Sequence, residues 1–188
     1  GDAPIPDFAF STICLGDTTE FTDGSTAQNS TIIFWTWDFG DGNSSTATNP
    51  SHYYDSVGVY NVSLSVTTDS GCTDSVIIPV STNPLPQADF GPILGCSNSQ
   101  LTFDDQSTIS SGSISNWTWM IESDTILGSV VDHVFQDTGV YPVTLISFSD
   151  YMCSDTVTKS ITIRKGPLAD FVLSRDCGNT TVGFSDDS

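Results

Sequence analysis

The chain has 188 residues, with 4 Lys+Arg against 23 Asp+Glu and a formal charge of -19. Lys159, Arg164, Lys165 and Arg175 are the only basic residues, so everything before Lys159 carries no permanent positive charge. Such a surface repels phosphate backbones and anionic lipid heads, which argues against nucleic-acid partners, and no run of about 18 apolar residues exists to support membrane insertion.

The acid is almost all Asp, with Glu only at Glu20 and Glu122. Asp favours turns where Glu favours helix interiors, and no window holds a 3.6-residue apolar period, so an all-β chain is expected. The first strand carries Phe8 and Phe10, and the second carries Phe21. Ile33, Trp35, Trp37 and Phe39 alternate, which places them on one face of a third strand. Asp38 to Gly42 supplies turn chemistry, with Gly where a positive φ is needed. Tyr60, Val62, Leu64 and Val66 alternate with Asn61, Ser63 and Ser65 on a long strand. Val76, Ile78 and Val80 form the last strand, where Pro79 lacks an N–H and calls for a sheet edge or an outward nitrogen.

The pattern then starts again. Pro6-Asp7-Phe8, Ala88-Asp89-Phe90 and Ala169-Asp170-Phe171 recur at steps of 82 and 81 residues, and Cys14, Cys96 and Cys177 keep the same steps. Trp35-Thr36-Trp37 returns as Trp117-Thr118-Trp119, His52 as His133 and Cys72 as Cys153. Self-similarity at a fixed period marks repeated modules. The expected organisation is residues 1–83 as a first module, 84–165 as a divergent second, and 166–188 as the first strands of a third that the natural protein completes. In the second module Pro142 is expected to interrupt the long strand. Ile146 and Phe148 put apolar side chains on its outward face, to be covered by a neighbouring strand or by a contact with another module or partner. About seven short strands per module reads as a Greek-key β-sandwich.

Trp35-Thr36-Trp37-Asp38-Phe39-Gly40-Asp41-Gly42, then Asn49-Pro50-Ser51-His52-Tyr53-Tyr54, then Gly58-Val59-Tyr60-Asn61-Val62-Ser63-Leu64 resembles the PKD (polycystic kidney disease) domain. The second module keeps Trp117, Trp119, His133 and Gly139-Val140-Tyr141 but has Met120-Ile121-Glu122-Ser123-Asp124 in place of the Gly-rich turn. The resemblance implies tandem immunoglobulin-like sandwiches in an extracellular or cell-surface setting, with no family catalytic residue. The cysteine arrangement is similar to repeat arrays of Bacteroidetes surface proteins, including gliding-motility adhesins. PKD modules also serve as spacers in secreted chitinases, collagenases and other proteases.

The candidate chemistry is sparse. His52 and His133 occupy equivalent positions, which favours a framework role. No HExxH, G-x-S-x-G or phosphate-binding Gly loop is present, so no catalytic residue and no cofactor is expected. Asp38 and Asp41, spaced i, i+3 around a Gly, are weak Ca²⁺ candidates, since hard cations take carboxylate oxygens. The competing reading is a pair of turn-capping carboxylates. Phe8, Phe21, Trp35, Trp37, Tyr60, Phe90, Phe103, Trp117, Trp119 and Tyr141 are the expected core. Asp followed by Ser or Thr and then Thr, Val or Ile marks Thr18, Ser56, Ser75, Thr125 and Thr156; the pattern is similar to an O-glycosylation acceptor of Bacteroidetes surface proteins.

Two cysteines per full module without zinc-like spacing indicate disulfides and an oxidising compartment. The default pairing is within modules, Cys14–Cys72 and Cys96–Cys153. In an immunoglobulin-type sandwich, however, those turns lie at opposite poles. A seven-residue strand spans roughly 23 Å, whereas bridged Cα atoms lie within about 7 Å. Pairing Cys14 with Cys153 between modules is the other arrangement; it leaves Cys72 for a preceding module and Cys96 for a following one.

The connectors Asn83-Pro84-Leu85-Pro86 and Gly166-Pro167-Leu168 are short and stiffened by proline. Equal modules on stiff joints predict an extended rod. The function expected is a non-catalytic structural or adhesive stalk of a long bacterial surface protein or filament. Its partners would be neighbouring modules, other surface proteins or glycans. The alternative is a spacer or a carbohydrate- or protein-binding module of a secreted hydrolase.

Overall fold

The computed structural model describes residues 3–11, 14–166, 171–175 and 182–186, the last two segments as backbone only. Every regular element among the described residues is a β-strand. The chain divides into two compact units. The first comprises residues 1–86, 109–114 and 148–154, and the second 87–108, 115–147 and 155–188.

In the first unit, β1 (Phe8–Phe10), β2 (Thr18–Asp23) and β5 (Ser51–Tyr53) form a three-stranded sheet. A second sheet runs in the order β4 (Ser44–Ser45), β3 (Ile32–Asp38), β6 (Gly58–Thr68), β7 (Thr73–Thr82). The side-chain period of two explains the core. Val62, Leu64 and Val66 of β6 point inward and are fully buried, while Asn61 points out and Ser63 and Ser65 are half-buried. From the other sheet come Phe8 and Phe21, which meet Trp37 with ring centroids 5.1 and 5.6 Å apart. Burying each large apolar side chain contributes about 1.5–3 kcal/mol. The Trp37 indole is admitted to the core because its Nε1 donates to Ala47 O at 2.9 Å.

One register expectation fails here. Ile33 is 44% exposed, and Ile32 packs on the core instead. The pairing of β3 with β6 shifts between Ile32 and Phe34, so a bulge inserts one extra residue and flips the alternation beyond it. Trp35 stays on the core side and anchors its Nε1 on Asp23 Oδ2 at 2.8 Å. Pro79 lies on β7, the terminal strand of its sheet, and is exposed, as a residue without an N–H requires.

The second unit repeats the plan. β8 (Phe90–Gly91), β10 (Gln100–Asp105) and β13 (Val130–Val134) form one sheet, ordered β13-β10-β8. The other is ordered β12 (Asp124–Leu127), β11 (Ile114–Ile121), β14 (Gly139–Ser149), β15 (Ser154–Arg164), β9 (Leu94–Cys96). Phe90, Phe103, Trp119, Ile121, Phe135, Val143 and Leu145 fill the core, with Trp117 and Tyr141 packed at its margin. Trp119 Nε1 donates to Gly128 O at 2.7 Å, repeating the device of Trp37.

Pro142 does not interrupt the long strand: β14 runs unbroken from Gly139 to Ser149. The equivalent Asn61 lies outside the stretch of β6 that pairs with β3, which begins at Ser63. In the first repeat one side of the strand has no ladder at this position, which is the kind of place where a residue without an N–H is accommodated. Ile146 and Phe148 are half-buried. The Gly-rich turn of the first repeat becomes a two-residue connection, with Ile121 opposite Asp124 and Glu122 at φ 53°. Beyond this unit's sandwich, β16 (Phe171–Arg175) pairs antiparallel with β17 (Val182–Asp186).

Candidate functional site

The most organised polar feature is a histidine–carboxylate pair that occurs once per repeat. In the first, Asp41 sits on the turn after β3 and His52 on β5, and Oδ2 meets Nε2 at 2.7 Å. Both side chains are largely buried, at 12% and 18% exposure for His52 and Asp41. The imidazole stacks on Phe39, 4.1 Å between centroids and 3° from parallel, and meets Tyr54 edge-on at 4.6 Å. Tyr54 stacks on Tyr60 and donates its hydroxyl to Phe39 O at 3.1 Å. Burial first, then the neighbouring Asp41 and Tyr60, pushes the Tyr54 phenol well above its usual range, so it stays a donor.

The Asp41 carboxyl is set by opposing effects. Burial would raise it, but the Asn43 backbone N–H, His52 and the Asn43 side-chain amide together hold it below the ordinary value. Its Oδ1 accepts from Asn43 N at 3.0 Å, and Asp38 Oδ1 accepts from Gly40 N at 2.9 Å. The two candidate Ca²⁺ residues thus spend oxygens on the turn's own N–H groups. Among the described residues no group of three or more His, Cys, Asp or Glu side chains stands together as a metal cluster.

In the second repeat Glu122 Oε2 meets His133 Nε2 at 2.9 Å, and Phe135 takes the place of Tyr54 against the imidazole and Tyr141. The acid partners escaped the sequence reading, although a signal was there: Asp41–His52 and Glu122–His133 share an 11-residue spacing. Rings and backbone turns surround the pairs. This arrangement locks a turn onto a neighbouring strand.

A second unforeseen residue is Lys159. Its Nζ donates to the Phe90 carbonyl, pairs with Asp89 and lies 4.9 Å from the centroid of the Phe90 ring. It ties β15 to β8 in the other sheet. The Lys159 hydrogen bond, then the Phe90 N–H, lowers the Asp89 carboxyl.

Cys14 and Cys153 are joined, with Cα atoms 5.6 Å apart and a sequence separation of 139; both lie in the first compact unit. The within-module pairs Cys14–Cys72 and Cys96–Cys153 do not form. Cys14 bridges to Asn83, just past the end of β7, whereas Cys72 precedes its start. Ten residues of strand, roughly 33 Å, separate the two positions. Cys96 pairs with Arg164 at the end of β15, and Cys153 precedes that strand. Cys177 lies outside the described residues. The five acceptor-pattern residues Thr18, Ser56, Ser75, Thr125 and Thr156 are all exposed.

Fold and site define a class: tandem immunoglobulin-like β-sandwiches whose polar clusters brace turns. The chain belongs to the PKD domain family, whose family model matches residues 1–81 and 83–164. It is 48% identical over 60 residues to "Microbial collagenase" of Vibrio alginolyticus, covering 31% of this chain and 7% of that protein. It is 32% identical over 161 residues to "Pre-pro-metalloprotease PrtV" of Vibrio cholerae, covering 83% of this chain and 17% of that protein. The PKD1 domain of Vibrio anguillarum Epp is a similar solved structure, at 31% identity, covering 43% of this chain and 94% of that one with TM-score 0.41. The chain therefore spans under a fifth of the length of these two curated relatives. Neither is a Bacteroidetes adhesin.

Proposed function

We propose that this chain is a non-catalytic accessory segment of a larger extracellular hydrolase, acting as a spacer or as a carbohydrate- or protein-binding module. One observation carries the reading: both repeats together align with a single stretch of a metalloprotease, of which that stretch is 17%. The chemistry agrees with it. The polar clusters lock turns, and the two histidines are held by carboxylates and rings. The negative surface suits a soluble extracellular segment.

The test is to isolate the native polypeptide and sequence it by mass spectrometry. Peptides of a hydrolase domain in the same covalent chain are expected. A polypeptide made only of further PKD-type repeats would overturn the reading and leave the surface stalk in its place. That second reading has one observation in its favour. The Cys14–Cys153 bond spans 139 residues of sequence, and such a bond limits how far the chain can extend under tension.

A further inference from the structure

Cys96 and Cys14 stand in the same backbone setting. Cys14 makes a parallel bridge to Asn83, and Leu15 N donates to Asn83 O at 2.8 Å. Cys96 is the parallel partner of Arg164, and Ser97 N donates to Arg164 O at 2.9 Å. In each repeat the cysteine is therefore pinned against the end of the last strand, one residue before a backbone hydrogen bond that both repeats make. Cys14 is bonded there; Cys96 is half-buried and forms no disulfide among the described residues.

The partner's geometry is also repeated. Cys153 closes the turn Ser149-Asp150-Tyr151-Met152-Cys153, in which Ser149 N donates to Cys153 O at 2.8 Å and Cys153 N to Ser149 Oγ at 3.2 Å. Thr68-Asp69-Ser70-Gly71-Cys72 has the same construction, with Thr68 N to Cys72 O at 2.9 Å and Cys72 N to Thr68 Oγ1 at 3.2 Å. Met152 at φ 65° and Gly71 at φ 85° take the same left-handed conformation before the cysteine. The turn is thus a repeated presenting device, and one copy is bonded to the kind of site that Cys96 occupies.

We propose that Cys96 is the attachment point for a further PKD module: its sulfur forms a disulfide with the cysteine that closes a Ser/Thr-Asp-x-x-Cys turn of that module, as Cys14 does with Cys153. The reaction joins two thiols through a new S–S bond and releases two protons and two electrons. The electrons pass by thiol–disulfide exchange to an oxidising protein disulfide, which becomes a dithiol. Only this oxidant rests on the extracellular setting proposed above.

Native protein is alkylated under denaturing, non-reducing conditions, digested with a protease that cuts at Asp, and its cross-linked peptides are sequenced. The Cys96 peptide is expected to be linked to a peptide whose cysteine closes a Ser/Thr-Asp-x-x-Cys stretch of the parent sequence, with no alkylation of Cys96 until reductant is added. Mixing isotope-labelled and unlabelled protein before oxidation separates the two sources. Mixed-isotope links mean a second copy, and single-isotope links mean the same polypeptide. Cys96 recovered alkylated from the oxidised protein, or linked to a cysteine of any other context, would overturn the proposal. Neither result depends on a hydrolase domain being present, which the peptide inventory decides separately.

Discussion

Gly40 is the position where a single methyl group tests the packing of the first repeat most sharply. It follows β3 at φ +79°, and a Cβ there would sit 2.9 Å from the Asn61 carbonyl oxygen and 3.0 Å from the Asn61 nitrogen. Both are backbone atoms of β6, so no side-chain rotation relieves the overlap. The left-handed conformation costs a substituted residue about 1–2 kcal/mol, and overpacking adds about 1–3. Gly40→Ala should therefore destabilise by roughly 2–5 kcal/mol. Gly42→Ala is the matched control: its φ is +95°, but a Cβ there meets nothing within 4 Å. It carries the backbone penalty alone, and the loss of unfolded-state freedom is common to both variants. The difference, about 1–3 kcal/mol, belongs to the contact with Asn61. Native-state hydrogen exchange on peptides covering β3 and β6 reads it directly, since each 1.4 kcal/mol, approximately, accelerates exchange tenfold. Equal acceleration in the two variants would refute the reasoning.

Three further outcomes follow from the same geometry. Met152 is 72% exposed and stands at φ 65°, where the first repeat has Gly71. Met152→Gly should leave urea stability unchanged or raise it by up to about 1 kcal/mol, and a loss of more than that contradicts the assignment of strain. The Asp41 carboxyl is held below its ordinary value in the folded state, so its stabilisation is complete above the unfolded value, near pH 4, and is lost as pH falls through the folded one. Asp41→Asn should flatten that part of the acid-side slope of the urea midpoint, and an unchanged slope would count against the pairing with His52. Replacing Cys14 and Cys153 together by Ser removes a cross-link spanning 139 residues. Chain entropy sets the loss at about 5 kcal/mol at most, read as a lower denaturation midpoint of the first unit. No shift would mean that the bond constrains nothing in the unfolded chain.

Most of this architecture is legible in the apolar alternation of the sequence. Val62, Leu64 and Val66 follow a period of two that only a half-buried strand explains, and the repeat doubled the signal at Val143 and Leu145. The misplacement of Ile33 shows the limit of that reasoning. Alternation fixes facing only where the ladder is regular, and the bulge between Ile32 and Phe34 is set by pairing with a strand some thirty residues away. Pro142 failed for a related reason: a missing N–H matters only if a neighbour needs it, and that depends on where β11 stops. The Asp41–His52 contact was within reach through its shared spacing with Glu122–His133. The Lys159 anchor was not, because its contacts with the Phe90 carbonyl and with Asp89 join strands seventy residues apart with no counterpart in the first repeat to mark them. For the cysteines, strand direction and length were the useful quantities. Cys14 and Cys72 flank opposite ends of β7, and that distance rules their pairing out more firmly than any spacing rule.

The polar clusters described in these two sandwiches hold the frame together, and the proposed role as a non-catalytic segment rests on that. The most direct test is hydrolysis of fluorescent gelatin and casein by the purified 188-residue chain, followed to long incubation times. Product release no faster than in buffer alone is the expected result. Cleavage that rises in proportion to the amount of protein, and persists through successive purification steps, would contradict it.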